Sequence, residues 1–99
     1  MKIRILGCGG SFGSPLAYGR NGNIDTNNSR NFRTRSSVLI NVDKTNLLID
    51  TSPDLRQQLY SAKITNIDAV LYTHYHTDHV SGIPDMRAIS FINKKIIPA

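Results

Sequence analysis

The 99-residue sequence predicts a mixed α/β fold, and three observations carry that prediction. Short runs rich in Ile, Val and Leu are separated by turn-forming residues and read as strands. Apolar residues recur at helical spacing in only two places. The nearly unbroken apolar run "IDAVLYT" (67–73) reads as a strand buried on both faces, the kind that helices cover in α/β proteins.

Taken in order, "KIRIL" (2–6) is a first strand, ended by Gly7, Gly9 and Gly10. From about residue 7 to 34 the chain is rich in Gly, Asn and Ser without periodicity, a long loop of the kind that is functional or mobile in a compact domain. "SSVLINV" (36–42) and "NLLID" (46–50) flank "DKT" and form a β-hairpin with a short turn. In "TSPDLRQQLYSA", Ser52 suits the helix cap, Pro53 the first helical position and Asp54 the helix dipole. Leu55, Leu59 and Ala62 follow at helical spacing. After the 67–73 strand, a second helix runs from Ile83–Pro84 to about Phe91, and "KKIIPA" begins another strand. Without repeats, low-complexity tracts or linkers, residues 1–99 are expected to be one domain.

Lys and Arg outnumber Asp and Glu by 12 to 7, a net charge of +5 that favours anionic partners. The single cysteine, Cys8, has no internal disulfide partner, which points to a reducing compartment. "MKIRILGCGGS" is too broken by Arg4 for a signal peptide, and no apolar run is long enough to span a bilayer. The expected setting is therefore cytoplasmic, away from membranes.

The chemistry concentrates in "DAVLYTHYHTDHVSG" (68–82), which holds all three histidines of the chain. A strand ending at Thr73 delivers His74, His76, Asp78 and His79 together at its carboxyl end, the edge where α/β ligand sites lie. His74 and His76 are two apart and share a face of an extended segment, so together they could grip one metal ion. Asp78 and His79, beyond the bend, point toward a second position. Imidazole nitrogen with carboxylate oxygen suits zinc, with iron and manganese as competitors. "GCGGSFG" falls short of a dinucleotide-binding fingerprint, because Phe12 stands where the third glycine belongs. "SRNFRTRSS" (29–37) sets Arg30, Arg33 and Arg35 around Phe32, either as a solvated loop or as an attractor of phosphates and single-stranded nucleic acid.

"THYHTDHVSG" resembles the H-x-H-x-D-H signature of the metallo-β-lactamase superfamily. With "GCGGSFGSP" (7–15), "RTRSSVLI" (33–40), "LLIDTSPDLRQQL" (47–59) and "GIPDMR" (82–87), it is similar to the branch containing phosphoribosyl cyclic phosphate phosphodiesterase. The resemblance implies the N-terminal half of a four-layer αββα sandwich and a hydrolase, most naturally a phosphodiesterase, that uses a metal-activated water. It implies two Zn2+ ions in the complete fold, with Mn2+ or Fe2+ as alternatives. His74 and His76 match ligands of the first metal, Asp78 and His79 ligands of the second, and Asp78 also matches the residue credited with orienting the water. Asp50 matches an acid that supports the ligands from behind. Arg87, Arg33 and Arg35 become candidate contacts for a substrate phosphate, on a phosphodiester small molecule or an RNA end; Arg87 could instead pair with Asp85 or Asp54.

Relatives draw further ligands from a C-terminal half, whereas no histidine follows His79 here. Each metal would have two ligands where a catalytic zinc has three. The sequence is therefore expected to act as a truncated or split form, completed by a separate C-terminal half or by homo-oligomerisation, with a core face left uncovered. The alternative is a basic nucleic-acid-binding or structural fragment without catalysis.

Overall fold

A computed structural model describes residues 1–17 and 25–99. Strands β1 (Lys2–Gly7), β2 (Ser37–Val42), β3 (Thr45–Ile49) and β4 (Ala69–Leu71) form a single sheet in sequential order. β1 and β2 pair antiparallel, as do β2 and β3, whereas β4 runs parallel to β3. The parallel step needs a crossover, and helix α1 (Leu55–Ser61) provides it. Two further helices follow, α2 (Thr77–Val80) and α3 (Ile83–Asn93).

The register sorts the side chains onto two faces. Arg4, Leu39, Leu48 and Val70 are aligned across the sheet on one of them. There Leu39, Leu48 and Val70 join Leu55 and Leu59 of α1, Ile67, and Met86 of α3 in the buried core. The opposite face carries two rows, Ile3–Ile40–Leu47–Ala69 and Ile5–Val38–Ile49–Leu71. It is apolar throughout, yet none of these residues is buried, and Ile3, Ile5 and Leu71 are 62%, 66% and 53% exposed. An apolar sheet face ordinarily packs on another layer about 10 Å away, and no described element fills that role here. The uncovered core face expected from the sequence is this one.

The hairpin forms as predicted, closed by Asp43 and Lys44. Asp43 takes the left-handed conformation (φ 53°) that such tight turns need and that aspartate tolerates. Elsewhere the structure corrects the prediction. Only residues 69–71 of the expected 67–73 strand pair with β3, and the strand is covered on one face alone, since Val70 is buried while Leu71 is exposed. The terminal "KKIIPA" forms no strand, although Val70 donates a backbone hydrogen bond to the Pro98 carbonyl (2.9 Å).

The long loop is more ordered than its composition suggests, with backbone bridges joining Gly9 to Arg35 and Ser14 to Arg33, and a 3-10 turn at Ser29–Asn31. Its stretch at 18–24 lies outside the described residues. The bridges explain two glycines: a Cβ on Gly7 would lie 2.2 Å from the Arg35 carbonyl, and one on Gly9 2.8 Å from that of Arg33.

Helix α1 begins at Leu55 rather than at Pro53, because Asp54 is otherwise engaged. Its carboxylate accepts from the Arg35 backbone N–H (2.9 Å), Nε (2.9 Å) and Nη2 (2.8 Å). Ser52 does not cap the helix; its Oγ accepts from Asp54 N–H (3.1 Å) and donates to Gln58 Oε1 (2.8 Å). Gln58 in turn donates to Thr34 Oγ1 (2.9 Å) and the Arg35 carbonyl (2.8 Å), so α1 is riveted to the end of the loop.

The fork from Arg35 holds the Asp54 carboxyl below its ordinary range, against the opposing effect of burial. A depressed folded-state pKa means that the pair stabilises the fold above the unfolded carboxylate pKa and that this contribution is lost as pH falls through the folded value. Urea denaturation followed from about pH 7 to about pH 3 should show this loss, and Asp54→Asn should be less stable at neutral pH with a flatter acid limb.

Candidate metal centre

Past β4 the chain bends at Thr73, is extended at His76 (φ −61°, ψ 146°), and then turns into α2. The expected loop is therefore partly a single helical turn, with His79 N–H donating to the His76 carbonyl (2.9 Å). This folding brings the three imidazoles together. Ring centroids of His74 and His76 are 4.5 Å apart, and those of His74 and His79 4.1 Å apart. Spacing alone pairs His74 with His76 and Asp78 with His79; in the folded chain His79 also lies against His74.

Behind the cluster sits Asp50, the residue after β3. It is 4% exposed and adopts a left-handed backbone (φ 63°). That conformation aims the carboxylate across to the segment following β4. Oδ1 accepts from Thr73 N–H (2.8 Å), and Oδ2 lies 2.7 Å from Thr73 Oγ1 and 2.7 Å from His79 Nδ1. Burial alone would push the Asp50 carboxyl upward, but the hydrogen bonds from Thr73 and His79 outweigh it and hold it below its ordinary range. His74 Nδ1 is 2.9 Å from Thr73 Oγ1. Thr73 is the member of this group that spacing overlooks. The signal for it is a hydroxyl residue between the end of a strand and the first histidine.

The backbone clamps α2 from the same side. Thr51 N–H donates to the His79 carbonyl (2.8 Å) and Gly82 N–H to the Thr51 carbonyl (3.0 Å). A Cβ on Gly82 would lie 2.3 Å from the Ser52 carbonyl, so only glycine lets the two segments approach this closely.

Among the described residues, no three His, Cys, Asp or Glu side chains are gathered as a finished metal cage. The chemistry of the donors nevertheless fits a divalent cation. Because the Asp50 carboxylate only accepts, His79 Nδ1 donates to it, and the neutral ring then carries its lone pair on Nε2, 3.2 Å from Asp78 Oδ2. Two acceptors face each other there, an arrangement that a cation between them stabilises.

The arginines part company. Arg35 is paired with Asp54, and that pairing and, more weakly, the nearby Asp78 charge raise its pKa. Arg33 is exposed, its Nη1 lies 3.7 Å from Cys8 Sγ, and with Phe12 and Phe32 it lines a cavity of about 400 Å³. Arg87 on α3 is also exposed, and among the described residues it pairs with neither Asp85 nor Asp54. No helix among the described residues is long and apolar enough to cross a membrane.

Comparison with known proteins places these features in context. Residues 30–99 match the metallo-beta-lactamase superfamily. An octanoyltransferase of Porphyromonas gingivalis is 43% identical over 90% of this chain, but that match is only 18% of its own length, so its transferase name does not carry over. A ribonuclease Z of Clostridium kluyveri is 31% identical over 87% of this chain and 24% of its own. Among solved structures, a diphosphatase of the PhnP family superposes with a TM-score of 0.81 at 36% identity, covering 92% of this chain and 36% of that one. Zn2+-bound PqqB from Methylobacterium extorquens gives 0.71 at 30% identity, over 88% and 36%. The chain thus spans a third or less of these relatives, or slightly more than a third for the structures.

Two substitutions test the scaffold. Asp50→Asn places an amide donor among the donors of Thr73 and His79, and should lower unfolding stability by about 1–3 kcal/mol in urea titrations. Gly82→Ala should cost a similar amount, about 1–3 kcal/mol, through the clash with the Ser52 carbonyl.

Proposed function

The chain belongs to the metallo-beta-lactamase superfamily, and on that premise we propose that it supplies the HxHxDH side of a metal-dependent hydrolase centre acting on phosphodiesters. The observation that carries this reading is the cluster of His74, His76 and His79 with Asp78 at the carboxyl end of β4, organised from behind by buried Asp50. The likeness to a PhnP-family diphosphatase and to a ribonuclease Z supports a phosphate ester as substrate, either a small phosphodiester or an RNA end.

In this reading His74, His76, Asp78 and His79 hold zinc, as the Zn2+-bound relative suggests, and Mn2+ or Fe2+ would satisfy the same donors. Bound zinc would lower the pKa of water and polarise a phosphoryl oxygen. Asp78 would also orient the attacking water. Arg33 and Arg87, which make no ion pair among the described residues, receive the substrate phosphate. The remaining donors come from polypeptide outside these 99 residues or from a second chain, and that partner also covers the apolar face of the sheet. Residues 1–99 then act as one incomplete domain, and the lone exposed thiol of Cys8 suits the reducing cytoplasm.

A second reading, single-stranded nucleic-acid binding without catalysis, is favoured by the cavity shared by Phe12, Phe32 and Arg33. The two differ in what they require. The hydrolase reading expects zinc to bind the 99-residue chain weakly, and the chain supplemented with the complementary portion of the fold to cleave an activated phosphodiester in a chelator-sensitive way. His76→Ala should reduce that cleavage to the metal-free background, and full activity in the variant would remove the cluster from the chemistry. Binding to single strands that ignores chelator and weakens steeply with salt would instead favour the second reading.

A further inference from the structure

We propose that Thr73 is a positioning residue that fixes the tautomer of His74, leaving the Nε2 lone pair of that ring exposed to a metal ion. The inference builds on the metal-centre reading above, but its first readout needs no metal.

An ionised carboxylate only accepts hydrogen bonds, and a threonine hydroxyl has a single proton to give. Thr73 Oγ1 lies 2.7 Å from Asp50 Oδ2, so that proton points at the carboxylate. Toward His74 the hydroxyl then presents lone pairs alone. Since His74 Nδ1 is 2.9 Å from the same Oγ1, Nδ1 must be the protonated nitrogen. Neutral His74 thereby carries its lone pair on Nε2. The same carboxylate oxygen holds His79 Nδ1 at 2.7 Å, so one buried acid sets two rings, His79 directly and His74 through a hydroxyl.

Thr73 is itself well anchored for this role. Its backbone N–H donates to Asp50 Oδ1 at 2.8 Å, which fixes the residue independently of its side chain. Thr73→Val therefore keeps the shape and the backbone bond while deleting the relay. Thr73→Ser keeps the relay.

The test is ring 15N–1H correlation spectroscopy of the metal-free, 15N-labelled 99-residue chain at about pH 8, above the usual imidazole range. Wild type should show His74 and His79 protonated on Nδ1. Thr73→Val should shift His74 toward the Nε2-protonated form and leave His79 unchanged, whereas Thr73→Ser should resemble wild type. Zinc titration of the same proteins should show an affinity lower by roughly 10–100-fold in the valine variant, restored by serine. An Nε2-protonated His74 in wild type overturns the proposal, whatever the variants do. So does a valine variant whose His74 matches wild type. If the tautomers behave as expected but zinc binds none of the proteins, Thr73 keeps its positioning role and the metal-centre reading falls alone.

Discussion

The site depends on a single buried carboxylate. Asp50 sits where β3 ends, in a left-handed backbone conformation that aspartate adopts more readily than most residues, and from there it collects donors from the chain beyond β4. Because β3 and β4 are parallel neighbours, their carboxyl ends lie side by side, and a side chain at one end reaches the loop at the other. The acid thus does two things at once. It ties the end of β3 to the end of β4, and it decides which nitrogen of His79 faces outward.

Around that contact the backbone is drawn tight. The Thr51–His79 and Gly82–Thr51 hydrogen bonds hold the one-turn helix α2 against the residues that follow β3. A helix of a single turn has little stability of its own. Its geometry is imposed by these tertiary bonds, and glycine at position 82 permits the approach. The Arg35–Asp54 fork and Gln58 do the equivalent work for the long loop, seating its end on α1 and bringing Arg35 within electrostatic reach of Asp78.

The sheet is finished on one face only. Its core face is sealed by α1 and α3, while the rows running from Ile3 and Ile5 across to Ala69 and Leu71 meet no described layer. Apolar surface in water is unfavourable in proportion to its area, so this face favours association with further polypeptide. In the proposed function the polypeptide that supplies the remaining metal donors also covers this face, so completion of the fold and completion of the metal centre are coupled.

Much of this was legible in the sequence. The hairpin turn, the core positions Leu55 and Leu59 and the grouping of His74, His76, Asp78 and His79 follow from local rules of spacing and turn chemistry, which act over a few residues. The later start of α1, the brevity of β4 and the commitment of Arg35 did not follow from them, because each is decided by a partner distant in the chain: Arg35 for Asp54, the uncovered sheet face for β4. Thr73 shows the distinction most clearly. By itself it is one hydroxyl at the end of an apolar run, and it gains a role only because folding sets Asp50 on one side of it and His74 on the other. Sequence determined which donors are present and that they emerge together. Tertiary structure decided which way each one faces, since a hydrogen bond's direction is fixed by the partner that accepts it.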